Sequence, residues 1–276
     1  MIAATTRVAG VIGSPIRHSL SPAIFNAAFA ACGLDWVYAA FEVTEGEAPS
    51  AMAGVRSLAL EGVSVTMPHK EAVIPALDDL DVAAAALGAV NCVVRRGSSL
   101  RGHNTDGAGL VDSLRFDESV DVAGLRCTVL GAGGAGRAVA HALGAAGGIV
   151  TVVNRTPERA EAAAALAGPA ARVGTVADVD GADLIVNATS VGMGADGQLP
   201  LDATRLRDNQ VVIDLVYHPA RTPLLDAAEA AGARVIGGVG MLVHQAAHAF
   251  QLWTGEAPPL EAMRHAAVAA LAARAT

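Results

Sequence analysis

Short apolar runs rich in valine and isoleucine alternate along this chain with alanine-rich, helix-permissive stretches. That alternation is the pattern of βαβ units and a parallel sheet. In the first part of the chain, residues 8–13, 36–43, 62–66 and 89–94 predict strands, with helices between them over 22–32, 47–58 and 79–87. A polar interruption at 117–124 separates these from a second series. There the predicted strands are 127–130, 149–153, 184–187, 211–215 and 234–236, and the predicted helices 136–146, 157–167 and 223–231. Two last helices, 241–254 and 259–273, have no strand after them, so they are expected to return and pack on the first domain. The pattern predicts an α/β protein of two domains, and its 276 residues suffice at roughly 100–200 residues per domain.

Composition then removes whole classes of function. Hydrophobic residues make up 53% and charged residues 17%, enough apolar surface to offset the entropy of ordering. The net charge is −8 with a pI near 5.4, and the only dense basic cluster is Arg95, Arg96 and Arg101, so no nucleic-acid partner is expected. Residues 235–255 carry no Asp, Glu, Lys or Arg and are long enough to cross a bilayer. They also carry His244, Gln245, His248 and Gln251 with Gly237, Gly238 and Gly240, which would place polar groups and helix breakers in lipid, so no membrane partner is expected. Cys32, Cys92 and Cys127 are odd in number and lack metal-ligand spacing, which fits a reducing cytoplasm. Arg7 breaks the first apolar stretch, which reads as a strand and not as a signal peptide. A small-molecule substrate is the remaining expectation, handled by a monomer or homodimer.

The 19 basic residues comprise 18 arginines and a single lysine, Lys70. An ammonium can give up a proton near neutral pH and a guanidinium effectively cannot, which marks Lys70 as the candidate proton carrier.

After the predicted strand 127–130 come Gly131, Ala132, Gly133, Gly134, Ala135 and Gly136, then Arg137 and an alanine-rich helix. Strand, glycine turn and helix in that order form the context of a dinucleotide-binding fingerprint. Gly131 permits the tight turn, Gly133 the close approach of backbone to pyrophosphate, and Gly136 close helix packing, with the helix N-terminus facing the anion. An NAD enzyme places Asp or Glu about 20 residues further on to bind the ribose hydroxyls. This chain has Asn154, Arg155 and Thr156 there, with Arg159 one turn along the next helix, a set that suits a 2′-phosphate. The expected cofactor is NADP.

Four polar clusters stand at strand ends in the first domain. The segment GSPIRHSLSP, residues 13–22, offers the hydroxyls of Ser19 and Ser21; Ser21 before Pro22 also reads as an ordinary helix N-cap. VTMPHK delivers Lys70 at the tip of a strand, and GAVN ends on Asn91. HNTDG carries Asp106, which also reads as a cap for the following helix. Together the clusters suit a polyhydroxylated acid, with a positioned lysine to protonate the alkoxide formed by hydride transfer to a carbonyl. No metal motif is present, and no metal is expected.

Nine blocks occur in order: GSPIRHSLSP, VTMPHK, GAVN, HNTDG, GAGGAG, NRTPERA, NATSVGM, DLVYHPARTPLL and GVGMLVHQAAHAFQLWTG. In them the chain resembles the NADP-dependent shikimate dehydrogenases, over nearly its whole length. The resemblance implies an N-terminal α/β substrate domain plus a Rossmann-like NADP-binding domain with a cleft between them. The substrate domain would be residues 1–106, completed by helices within 241–276, and the cofactor domain 107–240. It implies that Lys70 and Asp106 form the catalytic pair and that Ser19 and Ser21 bind the substrate carboxylate, with Tyr217 nearby. Thr66, Asn91 and Gln245 would hold the ring hydroxyls, with Ser64 also facing the substrate. Gly131, Ala132, Gly133, Gly134, Ala135 and Gly136, with Asn154, Arg155, Thr156 and Arg159, would hold NADP. Thr189, Val191, Gly238 and Met241 would line the nicotinamide side.

The implied reaction is reversible NADPH-dependent reduction of 3-dehydroshikimate to shikimate, in chorismate and aromatic amino acid biosynthesis. The chain departs from the family pattern at Ser64, where Asn is usual, at Phe25, where His is usual, and at Cys92, where Thr is usual. The shorter side chain at 64 is expected to loosen selection among cyclic acids, which makes a quinate/shikimate or aminoshikimate dehydrogenase of a specialised pathway the alternative. A nucleotide-binding regulatory protein without turnover is the reading from another class, and the presence of both Lys70 and Asp106 counts against it.

Overall fold

The valine and isoleucine runs pair into two six-stranded sheets in the computed structural model, which describes residues 2–194 and 197–274. Contacts divide the chain into two units: residues up to Thr105 together with those from Val243, and Asp106–Leu242. The first unit contains β1 (Arg7–Gly13), α1 (Ser21–Ala31), β2 (Trp36–Glu42), α2 (Ala48–Ser57), β3 (Gly62–Val65), β4 (Asp79–Leu80), α3 (Val82–Leu87), β5 (Cys92–Arg96) and β6 (Ser99–His103). The second contains α4 (Asp106–Asp112), β7 (Arg126–Leu130), α5 (Gly134–Ala145), β8 (Ile149–Val153), α6 (Pro157–Leu166), β9 (Arg172–Val173), β10 (Leu184–Asn187), β11 (Val211–Asp214), α7 (Pro223–Ala230) and β12 (Arg234–Gly237). α8 (Val239–Thr254) begins in the second unit and ends in the first, where α9 (Leu260–Ala272) follows it.

The first sheet, ordered β2-β1-β3-β5-β6-β4, is mixed and not parallel as the pattern suggested. β5 runs antiparallel to both β3 and β6. The cause is a two-residue turn: Arg96 pairs with Ser99 across Gly97 and Ser98, and Gly97 sits at φ 61°. A hairpin turn joins only antiparallel neighbours, because a parallel pair needs a crossover of a dozen or more residues. The second arm escaped the strand pattern because Leu100 is the only large apolar side chain in Ser99–His103. The predicted helix 79–87 is likewise shorter than its pattern. Asp81 caps it, its Oδ1 accepting from the Ala84 N–H at 2.6 Å, so Asp79 and Leu80 are left to pair with β6.

Alternate side chains of β3 serve two cores. Val63 and Val65 pack with Met52, Val55, Val73 and Val93 on one face. Gly62 and Ser64 face the other way, where Phe25 and Phe29 of α1 meet Phe250 and Trp253 of α8. A side-chain carbon at Gly62 would lie 2.3 Å from Trp253 Nε1, so this glycine makes room for the indole, which donates to Val93 O at 3.0 Å. α9 packs against α1.

The second sheet, β12-β11-β10-β7-β8-β9, is parallel throughout its described pairings. Numbered within the unit, this is the 3-2-1-4-5-6 order of dinucleotide-binding folds, whose ligands lie at the carboxyl ends of the strands where the order reverses. Here that point lies at the ends of β7 and β10. Among the described residues, no helix is long and apolar enough to cross a membrane.

The amino-terminal end of the two central strands carries a pH-sensitive tie. Asp183 accepts from Arg126 Nη2 at 2.6 Å and Nε at 3.0 Å, and from the Arg126 backbone N–H at 2.9 Å. The side-chain hydrogen bond from Arg126, with the backbone one, lowers its pKa from 3.8 to about 2. A carboxylate depressed in the folded state contributes stability above its unfolded pKa and loses it as pH falls through the folded value. The thermal midpoint is therefore expected to drop between about pH 4 and pH 2, and Asp183→Asn to flatten part of that drop. A midpoint equally pH-dependent in the variant would count against this tie.

Candidate active site

In the first unit, backbone hydrogen bonds draw four of the polar segments together at one end of the sheet. Ser14 N–H donates to Met67 O at 3.0 Å and Thr66 N–H to Ile12 O at 3.0 Å, joining the end of β1 to the loop after β3. Val65 N–H donates to Asn91 O at 2.7 Å, Val90 N–H to Lys70 O at 2.8 Å, and Asn91 N–H to His103 O at 3.0 Å. Lys70 is half-buried and next to His69, whose ring Nε2 lies 2.7 Å from Val43 O. The imidazole is thus an anchor that fixes the loop carrying the ammonium. Asn91 and Thr105 lock the opposite side: Asn91 Nδ2 donates to Thr105 Oγ1 at 2.9 Å, and Thr105 N–H donates to Asn91 Oδ1 at 2.8 Å. Thr105 Oγ1 also donates to Gln245 O at 3.1 Å, which ties α8 to the same cluster.

Ser21 is not the helix cap that its place before Pro22 suggests. Leu20 holds the N-cap position without a side-chain bond, and Ser21 is the first helical residue. The Ser21 N–H donates instead to Ser19 Oγ at 3.2 Å. The buried phenol of Tyr38 donates to Ser64 Oγ at 2.8 Å.

In the second unit the glycines divide their work by position. Gly131 adopts φ 103°, a conformation that side chains resist, at the turn out of β7. A carbon added at Gly136 would lie 2.1 Å from Gly131 O, so the helix start sits directly on the turn. One added at Gly133 would meet no protein atom within 4 Å. That open cradle at the N-terminus of α5 is where a pyrophosphate would approach. Asn154 Oδ1 accepts from Ala132 N–H at 3.2 Å, pinning the end of β8 to the turn. Beside it Arg155 and Arg159 are exposed and make no ion pair among the described residues, so two guanidinium groups remain available to a phosphate. The donor set fits NADP.

The model of the shikimate dehydrogenase substrate binding domain matches residues 11–93, and that of the shikimate 5′-dehydrogenase C-terminal domain matches 238–268. Between them, residues 126–218 match a model described as NADP oxidoreductase, coenzyme F420-dependent. A shikimate dehydrogenase (NADP(+)) of Moorella thermoacetica is 47% identical over 274 residues, covering 95% of this chain and 92% of that protein. The chain belongs to the shikimate dehydrogenase family. Shikimate 5-dehydrogenase from Thermus thermophilus, solved in complex with NADP(H) and shikimate, superimposes with a TM-score of 0.91 at 41% identity, covering 96% of this chain and 100% of that one. Quinate dehydrogenase from Corynebacterium glutamicum, in complex with NAD, gives 0.86 at 32% identity, covering 96% and 99%.

The remaining family positions fall in the second unit. Asp106 is buried and opens α4, Thr189 and Val191 lie in the loop after β10, and Tyr217 lies in the loop after β11. Gly238 joins β12 to α8, and a carbon there would lie 2.4 Å from Leu215 O; Met241 packs from α8 onto the core of this unit.

Sequence reasoning assigned no role to the groups that shape those loops. Asn187 and Asp214 end neighbouring strands in register and are fully buried. Asp214 accepts from Asn187 Nδ2 at 2.9 Å, Thr222 Oγ1 at 2.7 Å and Val216 N–H at 3.0 Å. Burial pushes its pKa up against these three bonds, which favour the carboxylate. Asn187 Oδ1 accepts from Thr189 N–H and Oγ1, and Thr189 Oγ1 accepts from Val191 N–H, so one buried network sets both loops. The signal was present in NATSVGM and DLVYHPARTPLL, but which polar residues point inward is decided by the sheet.

Proposed function

We propose that this chain catalyses the reversible NADPH-dependent reduction of 3-dehydroshikimate to shikimate, in chorismate and aromatic amino acid biosynthesis. The observation that carries the reading is the placement of the chain's only lysine in a loop knitted by hydrogen bonds to Val90 and the end of β1. NADP, when bound, supplies the hydride for reduction and takes it up in oxidation.

The protein's own groups do the rest. Lys70 donates a proton to the carbonyl oxygen as it becomes a hydroxyl, and its charge stabilises the developing alkoxide. Asp106 is its catalytic partner, and the two manage the proton as a coupled pair. Ser19, Ser21 and Tyr217 receive the carboxylate, while Thr66, Asn91 and Gln245 hold ring hydroxyls. The Gly131–Gly136 turn and Asn154, Arg155, Thr156 and Arg159 hold NADP, with Thr189, Val191, Gly238 and Met241 toward the nicotinamide. The enzyme works in the cytoplasm as a monomer or homodimer, without nucleic-acid or membrane partners. Ser64 favours one second reading, a dehydrogenase that also accepts quinate or an amino-substituted relative.

The test is oxidation of shikimate followed at the nicotinamide absorbance, with NADP and NAD and with shikimate and quinate side by side. Rapid turnover with NADP and shikimate is expected; activity confined to quinate or to NAD would overturn the assignment. Arg155→Ala is expected to raise KM for NADP by about 10- to 100-fold, the loss of a hydrogen-bonded charge, and to leave KM for NAD unchanged. Equal losses for both cofactors would remove Arg155 from the 2′-phosphate.

A further inference from the structure

Tyr38 stands in β2, in a run that reads only as strand, and its ring is enclosed on the face of the sheet that carries Ser64. Phe25 stacks on it with centroids 4.4 Å apart and planes 12° from parallel, and Trp253 lies 5.9 Å away. The side chain is 2% exposed, so the phenol oxygen is its one polar atom and cannot reach bulk water to be satisfied. That oxygen donates to Ser64 Oγ at 2.8 Å, and the Ser21 side chain lies near enough to offset part of the desolvation that raises its pKa. Desolvation raises its pKa, which keeps it a donor across ordinary pH.

The Ser64 and Ser21 side chains thus stand by the same phenol, in place to address a single ligand group. Ser64 Oγ makes no other hydrogen bond among the described residues, so its own proton has no protein acceptor. A hydroxyl that already accepts a hydrogen bond is polarised to donate one, and it donates most strongly to an anion.

We propose that Tyr38 is a positioning residue for the substrate carboxylate, holding the Ser64 hydroxyl so that it, with Ser19 and Ser21, addresses that anion. The phenol behind it then fixes the hydroxyl at 64. This inference rests on the proposed function, and its test separates the two. Tyr38→Phe keeps the ring stack and removes only the hydroxyl. KM is measured for shikimate and for its methyl ester, a neutral analogue of nearly the same shape, together with kcat and KM for NADP.

The expected result is a rise in KM for shikimate of about tenfold, with kcat, KM for NADP and KM for the ester within about twofold of the unaltered chain. Ser64→Ala is expected to give the same split, and the double variant to be no worse than Ser64→Ala, since Tyr38 acts through the Ser64 hydroxyl. If Tyr38→Phe does not fold, Ser64→Ala carries the test with the aromatic cluster intact. An equal change for acid and ester, or a lower thermal midpoint with unchanged KM, would overturn the proposal and leave Tyr38 a packing residue. Activity confined to quinate would overturn the function alone, because quinate carries the same carboxylate and the comparison is then run with it. A chain that neither binds nor oxidises these acids would overturn both.

Discussion

Lys70→Ala is expected to lower kcat for shikimate oxidation by about 10²- to 10⁴-fold, with KM changed by no more than about threefold. The size follows from the loss of a positioned proton carrier, and the split follows from where its charge acts. The alkoxide exists only near the transition state, so an ammonium that serves it stabilises that state more than the bound substrate. Lys70→Arg distinguishes charge from proton: a guanidinium keeps the charge but does not release a proton near neutral pH, so its kcat is expected to fall almost as far. Because the chain has no second lysine, amine-selective acylation reports on Lys70 and the α-amino group alone. Inactivation that shikimate protects against places the ammonium in the substrate site. Near-normal kcat in Lys70→Ala would remove it from the chemistry.

Gly133→Ala and Gly136→Ala are expected to fail in opposite ways although the glycines are three residues apart. At Gly136 the added carbon meets a backbone carbonyl at 2.1 Å, and neither the turn nor the helix start yields cheaply. A loss of about 2–4 kcal/mol is expected, seen as a thermal midpoint lower by roughly 5–15 °C. At Gly133 the backbone is extended, with φ −77° and ψ −169°, and the carbon meets nothing. There the midpoint should hold within about 2 °C while KM for NADP rises about 10- to 100-fold, because the methyl occupies the space of a pyrophosphate oxygen. KM for shikimate serves as the internal control. An unchanged KM for NADP in Gly133→Ala would move the cofactor away from this turn, and an unchanged midpoint in Gly136→Ala would contradict the packing of α5 on it.

Legibility differed sharply between the two units. The second was written in local terms: buried parallel strands are continuous aliphatic runs, and the glycine turn must be contiguous because one helix N-terminus makes the site. The first concealed its hairpin because Arg101, Gly102 and His103 carry no strand signal of their own, and the pairing of β6 is set by the Gly97 turn and the burial of Leu100. Lys70 and the serines were legible as chemistry, whereas Asn187 and Asp214 were not, since a polar residue's role depends on what surrounds it.

The order of the amino acids by itself determined the family, the α/β class, the position of the phosphate-binding turn and the replacement of an acidic residue by Asn154 and Arg155, because each is encoded in adjacent residues. Only the tertiary structure decided that Ser21 is not a helix cap but the first helical residue, its N–H donating to Ser19 Oγ, and that Tyr38 stands behind Ser64. Tyr38 and Ser64 are 26 residues apart and share a hydrogen bond only because β1 separates their strands in the sheet and α1 and α8 close over them. Such a bond depends on burial and register, and neither is a property of a local stretch of chain.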